Sequence, residues 1–564
     1  MESSELDSNN QITVKAGEVK SFDVTLRNIN NRPVKMNFYY QWISSNPGNV
    51  EVGYATTSQD VPPTNTGYIL GVNTSKVVTI AIRNNSTSNV TLKFGSEVGL
   101  EKANLWFPNN SYSLTQGLEF APIYKDISGA NAPELVEGLI PVVYSLSQNE
   151  WVKADTSNGW YAYQDQVWAN AVTTTSKNRT IYMNAAPGMV IPMSDINTMW
   201  VWIPRYEYKF SNMATGYAGG TALQPGAIGI NFIAKNIIKS GNTNNYKVHP
   251  AFTFGTDQLA GIWVGKFETG NQTACRVTGN VAGTACDVTT LGVQIKPNVS
   301  SWGGIRVSTA FTVGRQMSNS GNAYGLNNTT TDSHMMKNTE WGAVAYLSQS
   351  TYGKYANTAY SGANKEVYIN NYWKNNVALT GCSAGTPSTG SATTCAYTYE
   401  KSNTGTGAST TGNIYGVYDM SGGTQEYVMG NMKANGNLEQ QSGGQNADNY
   451  NSGFNGINYD KSNVTGGIAY PASKYYDTYN YSGSNSDHST RYIPGDATYE
   501  VSQGDNQSSG WYSDNAIFLR TNGPWFRRGG RAADAAKSGV FYFNNNYGNA
   551  ITYISFRLVL APIV

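Results

Sequence analysis

The sequence predicts an α+β chain in which strands far outnumber helices. Three observations carry that expectation. Charged residues make up only 13% of the 564, and polar turn formers and aromatics stand in their place, with 59 Gly and 39 Tyr; this suits a β-rich protein with long polar loops better than a cytosolic enzyme. Most apolar stretches alternate with polar residues, the period of half-buried strands. Only VSTAFTVGRQMS and NTEWGAVAYLSQS hold a helical period. A chain of this length has room for two or three domains.

Residues 1–115 read as a β-sandwich. ITVKAGEVKSFDVTLRNINNRPVKMNFYYQWI alternates apolar and polar residues around the turns AGE and NINNRP, and KVVTIAIRNNSTSNVTLKFGSEV repeats the pattern. Residues 116–198 form a connector, mostly β. Trp151, Trp160 and Trp168 lie close together there; such a trio can stack on sugars or pack between short strands, and packing is the commoner use. Residues 199–564 form the largest, α+β domain. MWVWIPRYEYKF and GIWVGKFETG are its first strands, and the two helices follow. In the second helix Asn338 or Thr339 is the expected N-cap, Glu340 sits in the first turn, and an apolar stripe runs through Trp341, Val344, Ala345 and Leu347. Beyond the helices, short strands are set among long Gly/Asn/Tyr-rich loops.

Charge and cysteines narrow the function. Lys+Arg 38 against Asp+Glu 37 gives +1, so no global field draws in nucleic acid or acidic lipid, and no nucleic-acid partner is expected. No apolar run reaches membrane-spanning length, and MESSELDSNNQ is not a signal peptide. Its polar start suggests a chain cut downstream of a removed signal or anchor, leaving membrane attachment to an anchor outside these residues. Cys275 and Cys286 flank RVTGNVAGTA, and Cys382 and Cys395 flank SAGTPSTGSATT. The flexible stretches between favour two disulfides, each worth roughly 3 kcal/mol. A metal site is the rival, but no Cys-x-x-Cys occurs and His249, His334 and His488 are far apart in sequence. Disulfides imply an oxidising, extracellular setting.

Several motifs resemble known families. NIYGVYDMSGGTQEYVMGN (413–431) resembles the N-x-x-G-x-x-D-M-x-G-N-x-x-E-W signature of the formylglycine-generating enzyme (sulfatase-modifying factor) superfamily. RRGG (527–530) and SFRLVL (555–560) resemble its closing R-G-G and G-F-R frame. NTEWGAVAYL, WIPRYEYKF and WVGKFETG resemble its second helix and opening strands, so the likeness covers about 199–564 in order. It implies a C-type-lectin-like fold. ITVKAGEVKSFDVTLRN resembles the small Ig-like modules that space bacterial surface domains, which makes 1–115 an Ig-like stalk. Asp419 is expected to cap a strand–loop turn; Glu426, Arg528 and Arg557 are expected to serve the core, with buried ion pairs among them.

The superfamily's oxygenases use a cysteine pair late in the domain, and here nothing after Cys395 is a cysteine. Its iron-binding relatives carry a His-x-x-x-His-x-Glu stretch that is absent. The metal-lining G-N-x-x-E reads Ser421-Gly422-Gly423-Thr424-Gln425-Glu426, with glycine at the asparagine. No cofactor or metal is therefore expected, a structural calcium being the one group the likeness leaves open.

What remains resembles the variable proteins of diversity-generating retroelements, binders whose last segment is mutagenised at template adenines. Asparagine codons ending in a pyrimidine reach Arg, Ala, Asp, Tyr, Ile, Thr and Ser, but not Lys, Glu, Gln, Met or Trp. Within 524–560 the stretches between frame elements are Arg527; Arg531, Ala532, Ala533, Asp534, Ala535 and Ala536; Asn544, Asn545, Asn546 and Tyr547; and Ile551, Thr552, Tyr553 and Ile554. All are reachable, whereas Lys537 is not and belongs to the frame. These fifteen are the expected variable, ligand-binding residues: tyrosines as rigid contacts, arginines as donors, Ile551 and Ile554 as apolar anchors. KYYDTYNY (474–481) and GWYSDN (510–515) either rim that face or pack, and Asp487-His488 reads as a solvated loop. The expectation is a non-enzymatic binder of a protein or glycan on another cell or particle, displayed on a bacterial surface or phage. A fixed carbohydrate-binding lectin or adhesin is the alternative, and a formylglycine-generating-type oxygenase stands behind it.

Overall fold

A computed structural model describes residues 4–27, 34–37, 39–44, 49–54, 68–70, 74–95, 101–107, 110–114, 117–119, 122–146, 149–210, 220–221, 224–238, 245–275, 285–434, 437–438, 452–455, 468–480, 489–520 and 523–563. Strands prevail and helices are few. The chain divides into two compact units: 1–122 with 145–155 and 184–190, and 123–144 with 156–183 and 191–564. The expected connector is thus shared between them.

In the first unit β1 (Gln11–Val14), β2 (Val19–Arg27), β3 (Tyr39–Trp42), β4 (Val50–Tyr54), β5 (Ser75–Asn84), β6 (Val90–Gly95), β7 (Glu101–Phe107) and β8 (Asn110–Leu114) build two sheets. One has the order β1-β6-β3-β7-β8 and the other β2-β5-β4. The alternation read from the sequence puts Ile12, Val14, Phe22, Val24, Val78, Ile80, Leu92 and Phe94 in the core. Phe22 and Phe94 meet edge to face at 5.6 Å. The architecture is compatible with a sandwich.

In the second unit β9 (Ile140–Ser145), β10 (Asn170–Thr174), β11 (Ile196–Pro204) and, after the short β12 (Tyr206–Phe210), β13 (Gly261–Gly265) precede helix α1 (Val307–Gln316). β14 (Thr331–Met335) and helix α2 (Asn338–Ser348) follow. Then come β15 (Gln425–Ala434), β16 (Asp477–Asn480), β17 (Trp525–Arg528), β18 (Phe543–Asn546), β19 (Ile554–Phe556) and β20 (Leu558–Pro562). Strands β9, β10, β11, β13, β20 and β14 pair antiparallel in that order. In a second sheet β15 pairs antiparallel with β17 and parallel with β16 and β19, and β17 carries β18.

Both predicted helices form. The cap of α2 differs from expectation: Lys337 precedes the helix, and its N–H donates to Glu340 Oε2 at 2.8 Å. The Thr339 N–H is satisfied by Asp477 Oδ2 at 2.7 Å, a residue remote in sequence. α2 is buried on every side, not along one stripe. The expected strand MWVWIPRYEYKF breaks at Arg205, whose buried guanidinium donates to Phe252 O and Ile237 O. A third helix, Ser176–Asn184, lies in the stretch read as mostly β. Trp151, Trp160 and Trp168 are all buried, so they pack.

Candidate ligand-binding cleft

The cleft forms where β17, β18 and the chain entering β19 gather around β15. The frame motifs set this backbone. In SFRLVL, Ser555 and Phe556 belong to one sheet and Leu558 to Leu560 to the other, and Arg557 stands at the switch. It is wholly buried, with Nε 2.9 Å from Glu426 Oε2, Nη2 2.6 Å from Glu426 Oε1, and further donations to Gly265 O and Tyr418 O. Each of its three nitrogens finds an acceptor, the condition under which a buried ion pair is tolerated. Arg528, expected to share such pairing, instead donates to Ala497 O at 2.9 Å and lies over the Trp341 and Phe543 rings. Asp419, expected to cap its own strand–loop turn, instead ties distant segments together: its Oδ1 accepts from Asn370 Nδ2 at 2.8 Å and from the Gly381 N–H at 2.9 Å.

Where the resemblance expects asparagine, Gly423 makes room for Glu268. A Cβ there would lie 2.6 Å from Glu268 Oε1. That buried carboxylate accepts from the Thr424 N–H at 2.8 Å, the Thr424 hydroxyl at 2.9 Å and the Ser301 hydroxyl. Burial first, then the neighbouring Glu426 and Asp419, push Glu268 well above the usual carboxylate range. Among the described residues no group of three His, Cys, Asp or Glu could hold a metal ion. Both predicted disulfides form, Cys275–Cys286 and Cys382–Cys395, with Cα–Cα separations of 5.9 and 5.4 Å.

On this frame lies an open cleft of roughly 210 Å³, lined by Gln425, Gln507, Asn515, Arg527, Arg531, Asp534, Lys537, Tyr542, Asn544 and Tyr553. Five expected variable residues, Arg527, Arg531, Asp534, Asn544 and Tyr553, converge here from four separate segments. Strand pairing aligns Arg527 with Asn544. The short 3-10 segment Ala532–Lys537 brings Asp534 back, its Oδ2 accepting the Arg531 N–H at 3.1 Å and its Oδ1 meeting Arg531 Nε at 3.0 Å. The Arg531 guanidinium rests over the Tyr553 ring at 4.7 Å. Gln425 ties the floor together: its Oε1 accepts from Arg527 Nη1 at 2.8 Å, and its Nε2 donates to Tyr542 OH at 2.9 Å and Asp534 Oδ2 at 3.1 Å. Burial pushes the Tyr542 phenol up, so it stays a neutral donor.

Six other expected residues stay outside the cleft lining: Ala533 and Ala536 are exposed, and Ala535, Asn545, Tyr547 and Ile551 are half-buried. The remaining four are corrected by the structure. Ala532, Asn546, Thr552 and Ile554 are buried and serve the scaffold. Asn546 Oδ1 accepts from Tyr427 OH at 2.6 Å. Thr552 packs so closely that a Cβ on Gly303 would overlap its carbonyl oxygen. Ile554, expected as an exposed anchor, is at 0% exposure.

Of the flanking aromatic segments, Tyr475, Tyr479 and Trp511 are buried, and Tyr512 donates to Gln349 Oε1. These pack, and only Asn515 reaches the cleft. Tyr481, Asp487 and His488 lie outside the described residues. Sequence reading missed Gln425, Gln507, Lys537 and Tyr542 as cleft residues, and placed Asn515 only in a segment that either rims the face or packs. Gln425 was read as part of the 413–431 signature, Lys537 as frame because lysine is unreachable by the codon argument, and Tyr542 as frame because FYF reads as core; Gln507 gave no signal. No protein-family model matches this chain, and no curated protein is significantly similar to it.

Proposed function

We propose that this chain is a non-enzymatic ligand-binding protein displayed outside a bacterial cell or on a phage-like particle. Its C-terminal domain is read as a C-type-lectin-like fold of the formylglycine-generating enzyme type, its N-terminal unit as an Ig-like stalk, and the segment about 524–560 as retroelement-diversified. The observation that carries the reading is convergence. Arg527, Arg531, Asp534, Asn544 and Tyr553, picked out as codon-reachable residues between the frame elements, line one open cleft. Their backbone is held by buried frame residues, so side chains there can be exchanged without refolding, as in paratopes. All four cysteines are in disulfides, which supports an oxidising setting and leaves no thiol for cysteine-dependent oxidation.

The test is DNA sequencing of the locus. The reading expects a reverse transcriptase and a near-copy of the region coding Pro524 to Leu560 that differs only at adenines. Those adenines should fall in the codons of the five cleft residues and be missing from that of Ile554. A locus lacking both elements overturns diversification and leaves a fixed lectin or adhesin.

A further inference from the structure

The geometry points to an acidic sugar, a single ring bearing a carboxylate, as the ligand class of this cleft. The inference rests on the binder reading above and specifies what this copy of the face takes. Charge is the first argument. Arg527, Arg531 and Lys537 line the cleft with one carboxylate, Asp534, on a chain whose net charge is only +1. Asp534 is already engaged through both oxygens by Arg531 and Gln425. Among the described residues Arg527 donates to the neutral Gln425 oxygen, and its buried Nε has no partner there. Lys537 meets only Gln507 Oε1, at 2.6 Å. Among the described residues neither of these two cations has a carboxylate within ion-pair distance.

The phenol of Tyr542 is the second argument. Its oxygen accepts from both Gln425 Nε2 and Asn544 Nδ2, which occupies its lone pairs and leaves its own hydrogen to donate. A guanidinium edge beside a neutral O–H donor is a receptor for a carboxylate.

Size and lining favour a sugar over an acidic peptide. At roughly 210 Å³ the cleft is smaller than the roughly 300–1,000 Å³ of drug-sized sites. Four carboxamides line it, from Gln425, Gln507, Asn515 and Asn544. The Gln425 amide hydrogens are committed to Tyr542 and Asp534, but each of the other three makes fewer bonds among the described residues than its amide allows, and the remaining capacity matches ring hydroxyls. A peptide backbone would need a longer groove with apolar pockets.

The experiment is a glycan array probed with the full chain. It displays glucuronate- and N-acetylneuraminate-terminated glycans, matched neutral glycans, and sulfated neutral glycans, with affinities then taken by calorimetry on the free acidic sugars. Acidic glycans should bind, neutral partners about tenfold or more weaker, and Arg527→Gln and the exposed Lys537→Gln should each weaken binding about ten- to a hundredfold. Ala533→Ser, outside the cleft, should leave binding unchanged. Equal binding of neutral and acidic glycans, binding to sulfated glycans alone, or no glycan binding at all overturns the acidic-sugar inference. The diversification reading fails separately, on the locus sequence. A folded Lys537→Gln protein that binds acidic glycans like wild type overturns the cleft as their site.

Discussion

Ile554→Asn separates ligand face from scaffold in the last segment. Ile554 is wholly buried and pairs with Gln425 across the β15–β19 ladder, beside the cleft floor. Exposing an aliphatic side chain of this size to replacement loses about 1.5–3 kcal/mol of transfer free energy. An amide left without partners there costs about 1–3 kcal/mol more. The sum, about 2.5–6 kcal/mol, is a large part of the roughly 5–15 kcal/mol that a domain typically has in hand. Ala533→Asn, on an exposed residue of the same expected set, should stay within about 0.5 kcal/mol of wild type. Urea unfolding of the full chain, followed by near-UV circular dichroism from buried Trp200, Trp263, Trp341 and Trp525, reports the second unit. If Ile554→Asn unfolds within 1 kcal/mol of wild type, burial does not constrain the position, and the division into face and scaffold fails.

Two further outcomes test the frame. Arg557→Met leaves the Glu426 carboxylate buried and unpaired and should cost about 3–5 kcal/mol; adding Glu426→Gln should recover part of it in the same unfolding assay, because the carboxylate that Arg557 pairs with directly is then gone. His249 supplies a pH test: burial among Tyr206, Tyr208, Phe252 and Tyr346 pushes it down to about 3. Its native form is neutral, so its contribution is full above the unfolded value near 6.5 and is lost as pH falls toward 3, about 2 kcal/mol by pH 5. His249→Gln should flatten the change in stability between pH 7.5 and 5 by that amount, and an unchanged pH profile would contradict the assignment.

The frame was legible because its signals are local. Alternation placed the strands, two periodic stretches the helices, and flexible spacers the disulfides. What escaped depends on partners distant in sequence. The helix cap at Thr339 comes from Asp477, which no local pattern announces. Glu268 fills the space left by Gly423, a substitution that reads in sequence only as a missing asparagine. The cleft floor escaped for the same reason. Gln425 joins Arg527, Tyr542 and Asp534, more than a hundred positions away, which only the tertiary fold brings together.

Two of the four reassigned residues follow an in–out alternation. Side chains on an extended chain point alternately to opposite faces, so a contiguous run of fillers there cannot all face a ligand. Along 551–554, Thr552 and Ile554 are buried while Ile551 and Tyr553 are half-exposed; Asn546 shares its strand parity with the cleft residue Asn544 and is buried through its bond to Tyr427, and Ala532 opens a 3-10 segment. Codon reachability marks what mutation can sample, and alternation marks what the fold can accept. Each inward residue also fixes an outward one. Asn546 holds Tyr427 two positions along the strand from the cleft residue Asn544, and the Thr552 backbone packs against Gly303 beside Tyr553. Exchange at an inward position would therefore shift the backbone that aims its outward neighbour and blur the face it was meant to vary. A diversified binder on this frame keeps its specificity only if mutagenesis is confined to the outward set.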